Sequence, residues 1–258
     1  LKEFFHEAPM LSLDNAFEPE DLYDFEKRTF NKIKKQTLFY SCEPKIDGVA
    51  VSLIYEKGKF IKAGTRGDGE QGEDITHNVK TIKQIPLMLN GKNHPDKIEI
   101  RGEIYCEKTA FDNFNKEYAK SGQKIFANPR NFVAGSIRQL NPEIAAARPL
   151  KIQLHSLGYV DQKNFFKSHQ EMLNTFLSWN LPINPDIELV NSIEEVISYC
   201  DRLTNKREAL NYEIDGVVIK IDDVFLQQEL GFSSRSPKWS IAKKFKAEEG
   251  TTEVLSVN

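Results

Sequence analysis

Cys42-Glu43-Pro44-Lys45-Ile46-Asp47-Gly48 is the stretch on which the reading of this 258-residue sequence turns. It reads as a strand, and strand alternation puts Lys45 and Asp47 on one face. Gly48 lets backbone or ligand come close. A lysine amine attacks phosphorus only when unprotonated, and an ordinary lysine side chain titrates near 10.4, as an approximate reference. Burial and neighbouring cations favour the free amine, whereas a neighbouring carboxylate favours the ammonium. Asp47 is therefore expected to orient the amine or to interact with it later, not to acidify it. A surface Lys/Asp pair at a strand end is the plainer reading of these residues alone.

Outward from this stretch the pattern is rich in hairpins. Val49 to Tyr55 is an apolar β-type run, Glu56-Lys57-Gly58-Lys59 supplies a turn, and Phe60 to Ala63 returns. Gly64, Gly67, Gly69 and Gly72 then punctuate a charged loop, and Asp74 or Thr76 caps a short helix running to Ile82. Upstream, residues 1–17 lack periodicity and read as an extended lead-in. Residues 18–35 read as a helix with Leu22, Phe25, Phe30 and Ile33 on its apolar face. Downstream, strands are expected at 98–105, 152–160, 212–221 and 240–246. Helices are expected at 108–120 (ended by Gly122), 134–140, 168–179, 192–207 and 224–230. Residues 251–258 read as a strand that begins another domain. This mixture points to an α+β fold with antiparallel sheets.

Three further segments carry chemistry-bearing residues. Tyr212-Glu213-Ile214-Asp215-Gly216-Val217-Val218-Ile219-Lys220 is a buried-type strand with a carboxylate at one end and an ammonium at the other. It can line a polar cleft or be a core strand with solvated ends. In Trp239-Ser240-Ile241-Ala242-Lys243-Lys244-Phe245-Lys246, alternation puts Lys244 and Lys246 on one face, an arrangement suited to phosphate or to a solvated edge. In Arg101-Gly102-Glu103 the two charged residues share a face; Glu103 can accept from ribose hydroxyls or join a cross-strand ion pair.

Composition sets wide bounds. Hydrophobic residues make up 40% and charged residues 28%, the balance of a globular protein that is one large domain or two small ones. The net charge of -3 neither supports nor excludes a nucleic-acid partner, which depends on where charge sits. Cys42, Cys106 and Cys200 form no CxxC pair, which argues against a zinc site and for reduced, buried thiols. No apolar run approaches the roughly 18 residues that span a membrane, and no signal-peptide pattern opens the chain. His6, His77, His94 and His169 have no ligand spacing and are expected at the surface.

Taken in order, the four elements resemble the covalent nucleotidyltransferase superfamily of DNA ligases, RNA ligases and mRNA capping enzymes. The connecting segments narrow the likeness. Ser12-Leu13-Asp14-Asn15-Ala16-Phe17, Thr65-Arg66-Gly67-Asp68-Gly69, Gly72-Glu73-Asp74-Ile75-Thr76, Phe126-Ala127-Asn128-Pro129-Arg130-Asn131 and Ala134-Gly135-Ser136-Ile137-Arg138-Gln139-Leu140 look like bacterial NAD⁺-dependent DNA ligases. So does Asp215 to Lys220, and the likeness covers essentially the whole chain.

The resemblance implies a nucleotidyltransferase fold of antiparallel sheets flanked by helices, ATP-grasp-like in architecture. It implies a lead-in at 1–17 from an N-terminal subdomain that binds nicotinamide mononucleotide (NMN), an adenylation domain over 18–247, and the start of an oligonucleotide-binding (OB) domain at 248–258. Lys45 would be the adenylated nucleophile. Ser12, Leu13 and Glu43 would surround adenine, with His155 stacked on the base where the family often has tyrosine; a core histidine is the alternative. Arg66 and Glu103 would contact the adenosine portion, with Glu103 on the ribose, and Lys220 and Lys244 would face the phosphates. Asp47, Asp215 and Arg207 match positions needed for activity, as do Arg130 and Arg138, which could hold DNA phosphates from an irregular loop.

The implied reaction moves AMP from NAD⁺ to Lys45 and then to the 5′-phosphate of nicked DNA, for strand sealing in replication and repair. Mg²⁺ is the implied cofactor, no protein metal site is expected, and the family's zinc belongs to a C-terminal domain that this chain lacks. A cytoplasmic monomer with no membrane partner is expected. Alternatives are an ATP-dependent ligase or capping-type enzyme, or a silent nucleotide-binding module. The retained set Lys45, Glu103, Lys220 and Lys244 argues against the last.

Overall fold

The computed structural model describes residues 1–35 and 37–246. The expected strand at 251–258 and the expected domain start at 248–258 lie outside them. The elements in chain order are β1 (Glu3–Phe5), β2 (Asp14–Ala16), α1 (Pro19–Phe30), β3 (Tyr40–Ile46), β4 (Val49–Glu56), β5 (Lys59–Thr65), β6 (Gln71–Glu73) and α2 (Thr76–Val79). There follow β7 (Lys97–Cys106), α3 (Lys108–Lys120), α4 (Pro129–Ile137), α5 (Pro142–Ala146), β8 (Leu150–Val160) and α6 (His169–Ser178). The last are β9 (Glu188–Val190), α7 (Ile193–Lys206), β10 (Ile214–Ile221), α8 (Val224–Leu230) and β11 (Ser240–Lys244). The fold is α+β, as expected, and among the described residues no helix is long and apolar enough to cross a membrane.

Two sheets carry the architecture. One has the order β2-β11-β10-β3-β9, with only β11 and β2 parallel, and the other has the order β5-β4-β7-β8 and is antiparallel throughout. The chain steps from the first sheet to the second at Asp47-Gly48, between β3 and β4. Gly48 is required there, because a Cβ would lie 2.1 Å from the Ile104 carbonyl oxygen. Pro44 sits inside β3, and this costs little because β9 pairs β3 only over Tyr40–Cys42, which leaves the far side of Pro44 as an edge.

Each sheet has its own core. Val51, Leu53, Ile100, Ile104 and Ile152 pack with Phe132, Phe176 and Trp179 on one. Tyr40, Cys42, Val217 and Ile219 pack with Leu22, Phe25, Val196 and Leu203 of α1 and α7 on the other. All three cysteines are buried and free. The lead-in is more structured than its lack of periodicity suggests. Phe4 is fully buried, β1 pairs with β6, and β2 adds a parallel strand beside β11.

Candidate active site

A cleft of 830 Å³ opens between the two sheets. The first sheet supplies Glu43, Lys45, Val218, Lys220 and Lys244; the second supplies Ala50, Arg101, Glu103 and His155; Arg66 follows β5. Residues Ala8 to Leu13, including Ser12 and Leu13, form a further wall. All nine residues expected around the nucleotide therefore line one cavity. That outcome follows from register: Lys45 is level with Gly216 and Lys244, and Glu43 is level with Val218 and Ala242. Gly216 is required by this packing, since a Cβ would lie 2.3 Å from the Lys243 carbonyl oxygen.

At one end Lys45, Asp215 and Lys244 form a cluster. Lys45 Nζ lies 3.2 Å from Asp215 Oδ2 and 3.0 Å from Oδ1, and Lys244 Nζ lies 2.5 Å from Oδ2. Asp215 reaches this place because the β10–β3 register shifts between Ile214 and Gly216. Such a bulge re-aims one side chain. Burial alone would raise the Asp215 carboxyl; the two lysines outweigh it and hold it low. Asp215, Lys244 and Arg207 also line a smaller adjoining hollow of 420 Å³, where Arg207 lies over the Phe245 ring.

Asp47 does not join Lys45. It lies beyond the end of β3 and pairs with Arg130, Nη1 to Oδ1, at 2.7 Å. Nor do Lys244 and Lys246 act as a pair: Lys246 lies past β11, largely exposed, 4.0 Å from Glu18. Arg138 is removed from the cleft lining and holds Glu73 with two hydrogen-bonding nitrogens.

At the other end, four residues along β10 from Gly216, a buried polar cluster forms around Glu43 and Lys220. Glu43 is 3% exposed and Lys220 is 4% exposed. Lys220 Nζ donates to Glu43 Oε2 at 2.9 Å, to the His155 carbonyl at 2.7 Å and to Ser156 Oγ at 3.1 Å. Those three bonds use all three ammonium hydrogens. Burial would raise the Glu43 carboxyl, but Lys220 and His169 hold it well below the carboxylate range. Burial, opposed by Glu43, lowers the Lys220 ammonium. Burial and the Lys220 charge hold His155 down at about 3, so its ring is neutral. Burial also raises Glu103 to about 7, against the pull of Lys45 and Arg130.

Two histidines expected at the surface are buried. His169 is 5% exposed and stands behind Glu43, Nε2 to Oε1 at 2.5 Å. The His6 side chain is fully covered. It joins Ser52 Oγ at 3.1 Å and Glu99 Oε1 at 3.4 Å, and Glu99 in turn holds Arg101 and the Glu7 amide. Arg101 also donates to the Ala8 and Pro9 carbonyls, fixing the lead-in as a cleft wall. The approach of these groups depends on three-dimensional packing between distant segments, which spacing along the chain does not reveal. His77 is exposed and His94 half-buried against Trp179.

No group of three His, Cys, Asp or Glu among the described residues forms a metal cage. Phosphate-linked Mg²⁺ needs no such cage, since it keeps several waters and takes one or two carboxylates. Glu103, in the cleft wall close to Lys45, fits that requirement.

The family model for the NAD-dependent DNA ligase adenylation domain matches residues 1–248. A DNA ligase of Hahella chejuensis (strain KCTC 2396) is 48% identical over 256 residues, which cover 98% of this chain and 37% of that protein. This chain thus spans about a third of its curated relative. Two solved structures of an archaeal ATP-dependent RNA ligase, form 2 and form 1, superpose with TM-scores of 0.51 and 0.50. Each is 16% identical, with 92% of this chain and 48% of that chain covered, a likeness of fold alone.

Proposed function

This chain belongs to the family of NAD-dependent DNA ligase adenylation domains, and on that premise we propose that its cleft binds the AMP half of NAD⁺ and that Lys45 takes the AMP. The observation that carries the reading is the Lys45–Asp215–Lys244 cluster at one end of the 830 Å³ cleft. A free Lys45 amine forms a nitrogen–phosphorus bond at the α-phosphorus. The bond from that phosphorus to the bridging oxygen breaks, NMN leaves, and the amine proton passes to solvent.

Asp215 fixes the direction of Nζ, and Lys244 offers its charge to the phosphate oxygens. Mg²⁺ would supply further neutralisation, with Glu103 on the protein side. Glu103 and Arg66 would hold the ribose side, Ser12, Leu13 and His155 the base, and Glu43 the base edge. A phosphate contact by Lys220 would require it to exchange one of its three protein partners, so we assign it to the base end of the cleft.

In the longer protein AMP would pass to a DNA 5′-phosphate and the 3′-hydroxyl would displace it, the reaction of a DNA ligase (NAD⁺). Arg130 and Arg138 would meet DNA phosphates by exchanging Asp47 and Glu73. Residues 1–17 would continue into an NMN-binding subdomain, and the place of action would be the bacterial cytoplasm. The test is transfer of label from NAD⁺, ATP and GTP to the protein, with an NMN-binding subdomain joined to it. Label from NAD⁺ alone supports the reading; label from ATP or GTP instead favours the other nucleotidyltransferases.

A further inference from the structure

We propose that His169 is a positioning residue that fixes Glu43 as an acceptor for an amino group, and so sets the cleft's preference for an amino-purine over an oxo-purine. The proposal rests on the reading of this cleft as an AMP site.

His169 does not line the cleft. It is the first residue of α6, capped by Ser168, and its backbone amide donates to the Asp222 carbonyl at 2.8 Å. These bonds hold the imidazole behind Glu43, and Nε2 lies 2.5 Å from Oε1. Burial and the Lys220 charge lower the proton affinity of the ring. A neutral imidazole has one N–H, and an Nε2 beside a carboxylate oxygen is where it resides.

The acceptor count at Glu43 then becomes informative. Oε1 receives His169 and Ser41 Oγ, the latter at 3.1 Å. Oε2 receives Lys220 at 2.9 Å. A carboxylate oxygen offers about two lone-pair sites. Oε1 is therefore filled, and Oε2 keeps one acceptor site on a side chain that lines the cleft. Lys220 has no hydrogen left to offer a ligand. A base edge carrying an amino group satisfies that site. A carbonyl oxygen there would set acceptor against acceptor and leave buried polar groups unpaired, the arrangement that discriminates most strongly.

Removing His169 leaves Ser41 Oγ alone on Oε1, so the carboxylate can turn about its bond to Lys220. A turned carboxylate no longer presents the free Oε2 site squarely to the base edge, so an amino group gains less there and a carbonyl oxygen is opposed less. Loss of His169 therefore erodes discrimination as well as affinity, a result that mere loosening of the fold would not give.

The experiment measures AMP and IMP dissociation constants by calorimetry on the 258-residue chain, with thermal midpoints as a folding control. Wild type is expected to favour AMP by roughly 10- to 100-fold. His169→Leu should lose about tenfold of that ratio, and His169→Gln, which keeps an N–H donor, should restore most of it. His169→Asn, too short to reach Glu43, replaces the leucine variant if that does not fold. An unchanged AMP/IMP ratio in a folded leucine or asparagine variant overturns the proposal, as does a glutamine variant no better than it. If wild type binds neither nucleotide, the AMP-site reading fails and takes this proposal with it.

Discussion

Lys45 and Lys244 share a single carboxylate, with Asp215 Oδ1 3.0 Å from one ammonium and Oδ2 2.5 Å from the other. Three strands meet at this level, with Lys45, Gly216 and Lys244 abreast. Two like charges would not rest so close without the anion between them. The bulge in β10 is what supplies it.

Asp215→Asn keeps the shape and removes the charge. The uncompensated lysines then attract phosphate more strongly, while Lys45 loses the group that aims it. AMP should bind up to about threefold tighter and transfer to Lys45 should slow by about 100-fold, since misplacement of about 1 Å costs that much. Calorimetry and single-turnover labelling measure the two; parallel loss of both would contradict this division.

Two histidines respond first to acid, His155 in the cleft wall and the buried His169. His155, at about 3, and His169 both lie below their ordinary value because of burial and Lys220. At these two rings the unfolded chain binds more protons, so their contribution to stability is full above about pH 6.5 and falls as pH drops from there, opposed by Glu103, whose raised carboxyl binds a proton more readily in the folded state. The loss reaches up to about 1.4 kcal/mol per pH unit for each ring. Urea midpoints at about pH 7, 6 and 5 should fall less steeply for His155→Phe than for wild type; equal slopes count against the neutral ring.

Glu103 governs a different pH response. Its carboxyl titrates at about 7 because of burial, and the proposed ribose contact needs the ionised form. Adenosine, which has no phosphate to titrate, should bind more tightly as pH rises to about 8, by up to tenfold per unit below the midpoint. Glu103→Gln should flatten the profile. A wild-type profile flat from about pH 6 to 8 would exclude Glu103 from the contact.

The two motif glycines are packing requirements. Ala at 216 drives a Cβ against the Lys243 carbonyl, and Ala at 48 drives one against that of Ile104. Each substitution should cost about 1–3 kcal/mol in urea denaturation and shift the cluster it supports. A neutral effect at both would mean that the strands part without cost.

Much of this was legible in the sequence, for identifiable reasons. The helix expected at 108–120 is Lys108–Lys120, and the one at 224–230 is Val224–Leu230. Each pattern has a clear stop in Gly122 or Gly231. The helix expected from 134 begins at Pro129 instead; Asn128 caps it by accepting from the Asn131 amide, and Asn-Pro was the cue available for it. Strand β9 and helix α5, at three and five residues, are too short to show a period. The nucleotide-side residues converge because strand parity is local information. The Asp215 bulge, the Asp47–Arg130 pairing and the burial of His6 and His169 depend on partners 46 or more positions away, or on a register shift that parity does not foresee.

The most direct measurement is mass spectrometry of the chain joined to an NMN-binding subdomain, after incubation with NAD⁺ and Mg²⁺. A gain of one adenylyl group is expected, mapped by peptide fragmentation to Lys45 and absent from Lys45→Ala. An adduct on another residue, or none in a folded protein that binds NAD⁺, would contradict it.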